Sequence, residues 1–526
     1  MRDRIFGPQR AISPRLCRMA APLFLGLLPL ALLLTIFQTT FAAGITVNVD
    51  NTLDDNSKQG CTGAANDCSL RGAISKANDD AVNEYTIVIP AGHYTLTQSG
   101  AGEDANATGD LDLTRPMTLS GALDFLGPVT PTEDLPFTLI DANRIDRVLH
   151  IHNGADTTLS SLWIQSGQAP ASSNGGGIYN VGSRVTLSTV VVISNTATNG
   201  GGIYNQGSTA VISSASLIYP VDNSAADHGG AIYNDGGWIS FTDVWAQANK
   251  AGGDGGALYN KNGHIESTGG LLYLLTNRAG GNGGGLVNDG AAAMIDQKGR
   301  TFIFENKAEG GVGGGGILNL AGRIALSTTL LYDNEAPAGD GGGIYNVGGR
   351  ATLSGSLIFS NSAKLDGGGI YNDRGEIILS EFTIYRNSAE WGGGILNDGA
   401  LGSAAITLTD GIVVANSAAS DGGGFFNVDA QTTVRDTWVY SNTAIVGGGI
   451  YNEAGQFTFS DGLLTGNGGH SEWRCDLPGG RVGSSQSELC CRQQRDRCPI
   501  PGRRGAAQRT AKLVGRTRWT LPSRKR

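Results

Sequence analysis

The chain has 526 residues, of which 81 are glycine, 40% are hydrophobic and 7% are aromatic, and its formal net charge is −9. A disordered chain is excluded, because the apolar residues are both frequent and periodic. Residues 43–469 carry 19 basic and 42 acidic side chains, an acidic body that excludes nucleic acid as a partner and disfavours anionic polymers such as pectate unless cations bridge.

Residues 1–43 begin with Arg2, Arg4, Arg10, Arg15 and Arg18, run through an apolar stretch from Met19 to Phe37, and end on Thr40-Phe41-Ala42-Ala43. A basic, then hydrophobic, then small-residue order predicts an export signal cut near Ala42 or Ala43, with an uncleaved anchor as the alternative. Either way the body is expected outside the cell or on its outer surface. Its membrane contact is then limited to this segment or to an anchor lost from the far end.

Residues 44–85 hold Cys61 and Cys68, seven apart. In an exported segment this spacing predicts a disulfide closing a short loop, and too few ligands stand nearby for zinc. Residues 86–170 alternate short apolar runs with turns. Strands are expected at 86–89, 94–97, 117–120, 137–140, 148–151 and 158–164, with the longest loops at 98–110 and 121–136. Irregular loops are where a repeat protein carries function. His150 and His152 share one strand face; two imidazoles alone make a poor metal site, so packing is the expected role.

Residues 171–469 repeat Gly175-Gly176-Gly177-Ile178-Tyr179-Asn180 in eleven near copies. The closing asparagines are Asn180, Asn205, Asn234, Asn260, Asn288, Asn319, Asn346, Asn372, Asn397, Asn427 and Asn452. Intervals of 25 to 31 residues, with β-rich runs such as Ala351–Ser354 and Leu357–Phe359 and no 3.6-residue period, predict one coil per repeat. Each coil has three strands and three corners, an all-β architecture better matched by a parallel β-helix than by a propeller blade. Alternation places the apolar residue and the asparagine of each motif inward, and stacking then lines the asparagines into a structural ladder. The residue before the apolar pair is Gly or Ala in every copy, which fits a corner with positive φ or close backbone contact. A second marker, Asn followed by a small residue, recurs from Asn195 to Asn467.

Residues 470–526 are basic, contain Cys475, Cys490, Cys491 and Cys498, and abandon the repeat in mid-coil. A disordered or frame-shifted tail is expected.

Cys68-Ser69-Leu70-Arg71-Gly72-Ala73-Ile74, followed by Ala77-Asn78, resembles the CSLREA domain that begins many bacterial exported right-handed β-helix proteins, with Gly72 standing where that family has Glu. The resemblance implies an N-terminal cap of a strand and a short helix, about Leu70 to Asn78, over the first coil of a right-handed, pectin-lyase-like solenoid. The repeats, with Gly229-Gly230-Ala231-Ile232 and spacings such as Ile358-x-x-Asn361, resemble the polymorphic outer-membrane protein repeat. That resemblance implies an adhesin-like surface role.

Catalytic chemistry leaves little trace. No Asn-x-Asp, Asp-Asp, Gly-His-Gly and Arg-x-Lys set of the polygalacturonase kind occurs within the coils. The glycine runs lack the Lys-Ser/Thr of a phosphate loop. Asp254, Asp340, Asp366 and Asp421 each precede a glycine triplet, and Asp340 and Asp366 fall in consecutive coils. Stacked carboxylates offer oxygen ligands to calcium, the one cofactor the sequence suggests; a solvated corner is the plainer expectation. The sequence therefore predicts a non-enzymatic binding or structural scaffold whose partners are surface glycans or proteins. The alternative is a polysaccharide lyase or glycoside hydrolase on the same fold.

Overall fold

The computed structural model describes residues 44–122, 137–267 and 269–470, with the backbone of two further short strands at Arg481–Val482 and Leu489–Arg492. The expected export signal, most of the 121–136 loop and most of the tail lie outside the described residues.

From Gly44 onward the chain is a parallel β-helix. Every strand pairing is parallel and joins one coil to the next, giving sheets of 24, 14 and 11 strands. The 14-stranded sheet carries the Ile-Tyr-Asn motif, with Ile203 opposite Ile178 and Ile232, and Asn205 opposite Asn180 and Asn234. The expected pair of strands in one coil is a single strand, Arg350–Phe359, bent at Gly355 (φ 60°). The same bend recurs at Glu381 (φ 53°) in the next coil, so the register is unchanged across it and the ladder continues.

The first glycine of each triplet has the positive φ, 68° at Gly175 and 59° at Gly341. The second is fixed by close approach instead: a Cβ on Gly342 would lie 2.5 Å from the Gly368 carbonyl oxygen of the next coil, whereas the third position accepts Ala231 and Ala257.

Two asparagine files run through the stack. In the first, Asn319 Nδ2 donates to Asn346 Oδ1 (2.7 Å), and Asn346 Nδ2 to Asn372 Oδ1 (2.7 Å). The second marker forms the other file and does more. Asn361 Oδ1 accepts both the backbone N–H (3.0 Å) and the side-chain amide (2.9 Å) of Asn334. Asn361 Nδ2 in turn donates to Leu331 O (2.9 Å) and Asn387 Oδ1 (3.0 Å). Corner N–H groups that the sheets leave unpaired are thus satisfied one coil away.

Inward Ile, Leu and Val side chains form one core along the stack. The tyrosines of the motif point away from it yet are buried in a second cluster, because segments bearing Val312, Trp391 and Val446 pack across them. The corresponding segments of other coils carry the aspartates expected at solvated corners, and the expectation fails: Asp254, Asp340, Asp366 and Asp421 are only 8%, 0%, 9% and 6% exposed.

The helix Leu70–Asp79 closes the first coil, with Leu70, Ala73, Ile74 and Ala77 joining the main core. Ser69 caps it, its Oγ accepting from Gly72 N at 2.9 Å. A Cβ on Gly72 would lie 2.1 Å from Lys58 O, so no glutamate fits at this position. Cys61 and Cys68 form a disulfide beside the helix.

Candidate functional site

Two features of the stack stand apart from its structural repetition: an apolar face along the coils and a buried polar centre in the first ones.

The outer face of the 24-stranded sheet is divided lengthwise. Outward positions in the first half of each long strand are mostly polar, as in Thr186, Ser213, Ser240 and Glu266, which lie in register. In the second half they are mostly apolar, in two neighbouring columns interrupted at Gln247 and Thr383. One column runs through Tyr219, Trp245, Tyr273 and Phe302 and ends at Trp438 and Leu463; the other holds Phe304, Tyr332, Phe359 and Tyr385. Trp438 is 55% exposed and Leu463 36%. Rings of the second column stack on one another, Phe304 on Tyr332 at 4.6 Å and 6°, and Tyr332 on Phe359 at 4.9 Å and 9°. Their faces are turned toward each other along the stack, which leaves edges for a partner. Contiguous exposed apolar surface is where proteins, membranes or ligands dock.

The polar centre lies under the 98–110 loop. Arg71, on the cap helix and fully buried, bonds Asp54 Oδ1 (2.5 Å), Gly109 O (2.8 Å) and Asp110 O (2.8 Å), and so holds the loop against the cap. Arg147 donates to Asp110 Oδ2 at 2.9 Å. Burial pushes the Asp110 carboxyl up to about 8 against that pull. Burial also raises Asp146.

Next to them Asp112, on Leu111–Leu113, pairs in register with His150 on Leu149–Ile151. Asp112 Oδ1 lies 3.1 Å from His150 Nδ1 and 3.4 Å from His152 Nε2. Asp104 Oδ1, on the loop, is 3.4 Å from the same His150 nitrogen. The His150 ring stacks between His152 (4.3 Å) and Tyr179 (5.0 Å). His150 and His152, expected to pack, are buried but joined to carboxylates. Asp112 raises the His152 pKa through its contact with the ring.

Asp340 and Asp366 lie apart from this centre. Asp340 Oδ1 accepts the Asp366 backbone N–H at 3.3 Å, and among the described residues no third acid, imidazole or thiol joins them at ligand spacing. The sequence reading missed Asp104, Asp110, Asp112 and Asp146. Leu111–Leu113 is three residues long and buried throughout, so it has no alternation to betray a strand.

No protein-family model matches the sequence, and no curated protein matches it. Among solved structures, the A-module of mannuronan C-5 epimerase AlgE6 from Azotobacter vinelandii is similar at 16% identity, covering 85% of this chain and 100% of that one with a TM-score of 0.32. A likeness at that score carries no argument about this chain, whose parallel β-helix is established by its own strand pairing.

Proposed function

We propose that this chain is an exported, non-enzymatic β-helix scaffold that binds a partner protein through the apolar columns of its longest sheet. One observation carries the reading: the same sheet is mostly polar on one half of its outer face and mostly aromatic or aliphatic on the other. Burial in the main core demands neither, since both halves face away from it; the first coils cover their share, in the cluster of Trp163, Val191 and Tyr219. Edge-on rings favour a protein over a glycan, which would use exposed ring faces.

The enzyme alternative draws on Asp110 and Asp112, two neighbouring carboxyls with split proton affinities. Their exposures of 1% and 0% leave no access for a polysaccharide, so the scaffold reading is preferred. The test compares the full chain with a Trp438→Glu/Leu463→Lys/Tyr385→Glu variant on intact and protease-treated cells. Binding that needs surface protein and is lost in the variant supports the proposal. Binding that survives both, or depolymerisation of a polysaccharide by the purified chain, overturns it.

A further inference from the structure

We infer that Asp104, Asp112, His150 and His152 form a binding site for one zinc-class divalent ion. The argument is geometric. The four donor atoms lie within 4.8 Å of one another, and three of their separations are 3.1, 3.4 and 3.4 Å. A tetrahedral zinc site with bonds of about 2.0–2.1 Å has ligand–ligand edges of about 3.3 Å, so these three edges already match a bound site, and the other three, each within 4.8 Å, close on the ion.

Three of the ligands are preset by the fold. Asp112 and His150 are register partners on adjacent coils, and His152 follows on the same strand face. The other Asp112 oxygen, Oδ2, accepts the Asn106 backbone N–H at 2.9 Å, which fixes the carboxylate and leaves Oδ1 for the ion. Asp104 is the adjustable member: its side chain is 68% exposed on the 98–110 loop.

A second observation is independent of the distances. His152 is 9% exposed, and its Nε2 is buried without a hydrogen-bond partner although it faces the centre. The Asp112 contact at 3.4 Å pairs the charge without a well-directed hydrogen bond at that nitrogen. An ion between the four donors gives it a ligand bond. The donor set also selects the metal: two imidazoles and two carboxylates suit zinc and its first-row neighbours, whereas calcium takes six to eight oxygens.

The test uses the full chain with its free thiols alkylated, which removes the tail cysteines as competing ligands. Dialysis against zinc should leave one equivalent bound, with added calcium leaving that occupancy unchanged, and cobalt in its place should give the intense visible absorption of a four-coordinate site. His152→Ala should weaken zinc binding more than about 100-fold, because losses around a ligand already cost 10- to 100-fold. Asp104→Ala changes only an exposed side chain, so it keeps the fold and should weaken binding at least about 10-fold. Failure of the native chain to retain zinc overturns the inference. So does equal retention by both variants, or displacement of the ion by calcium.

Discussion

Truncating Asn361 to alanine tests the second asparagine file where its role is clearest. The side chain is fully buried and makes four hydrogen bonds at 2.9–3.0 Å. After the change, Asn334 Nδ2 keeps Ile303 O and Tyr332 O, and Asn387 Oδ1 keeps the Asn361 backbone N–H. The Asn334 backbone N–H keeps no partner. Stranding it costs about 1–3 kcal/mol, and the three other lost bonds about 1 kcal/mol each, so the coil should lose about 4–6 kcal/mol. Asn346→Ala, in the first file, removes only side-chain amide and carbonyl contacts and should cost about 1–3 kcal/mol. Hydrogen exchange followed by mass spectrometry reads the difference locally, which suits a stack whose coils contact only their neighbours. Amides of the 319–346 coil should exchange at least about 100-fold faster in Asn361→Ala, by the tenfold-per-1.4 kcal/mol conversion. Equal effects of the two substitutions would refute the division of labour between the files.

Arg71→Met should destabilise the cap by about 3–5 kcal/mol, because it leaves the Asp54 carboxylate, 1% exposed, without its counter-ion; a native-like urea midpoint for the N-terminal coils would contradict this. Asp110 and Asp146 have raised affinities in the folded chain, so it holds protons that the unfolded chain releases near pH 4. Stability of these coils should therefore fall as pH climbs from about 4 to about 8, by up to about 1.4 kcal/mol per pH unit, and Asp110→Asn should flatten the profile. His152 adds the same sign: its pKa is raised by Asp112, so its contribution is present below the ordinary imidazole value and lost as pH climbs through the folded one. Reducing Cys61–Cys68, which are 7 residues apart, should cost about 2.5 kcal/mol by loop-closure entropy and speed proteolysis within 44–85.

Much of the fold was legible because corners restrict residue choice more tightly than strands do. A left-handed turn and a backbone approach of under 3 Å admit little besides glycine, so the triplets recur and reveal the coil. Asn195 to Asn467 were equally visible as a marker, but their bonds to backbone N–H groups depend on how far one coil lies above the next. The buried aspartates were misread because the residue before the glycine triplet varies from coil to coil, Trp391 and Val446 pairing with Asp366 and Asp421, so no apolar repeat announces a covered surface there. The apolar face left a sign that went unused: Leu271–Leu275 and Arg300–Phe304 are apolar at positions of both parities, more than one inward face requires. The polar centre was only half legible. His150 and His152 share a face by spacing, whereas Asp112 meets them across 38 residues through a register that only the folded coils define.

Cysteine pairs across neighbouring coils measure that register most directly. With the remaining free cysteines changed to serine, Thr352→Cys/Ile378→Cys places the pair at opposed outward positions of adjacent strands, about 4.8 Å apart, and mild oxidation should close a disulfide. Thr352→Cys/Thr407→Cys spans two coils, about 9.6 Å, and should stay reduced. Closure of the second pair, or failure of the first, would contradict the stacking on which the asparagine files, the apolar columns and the proposed metal site all depend.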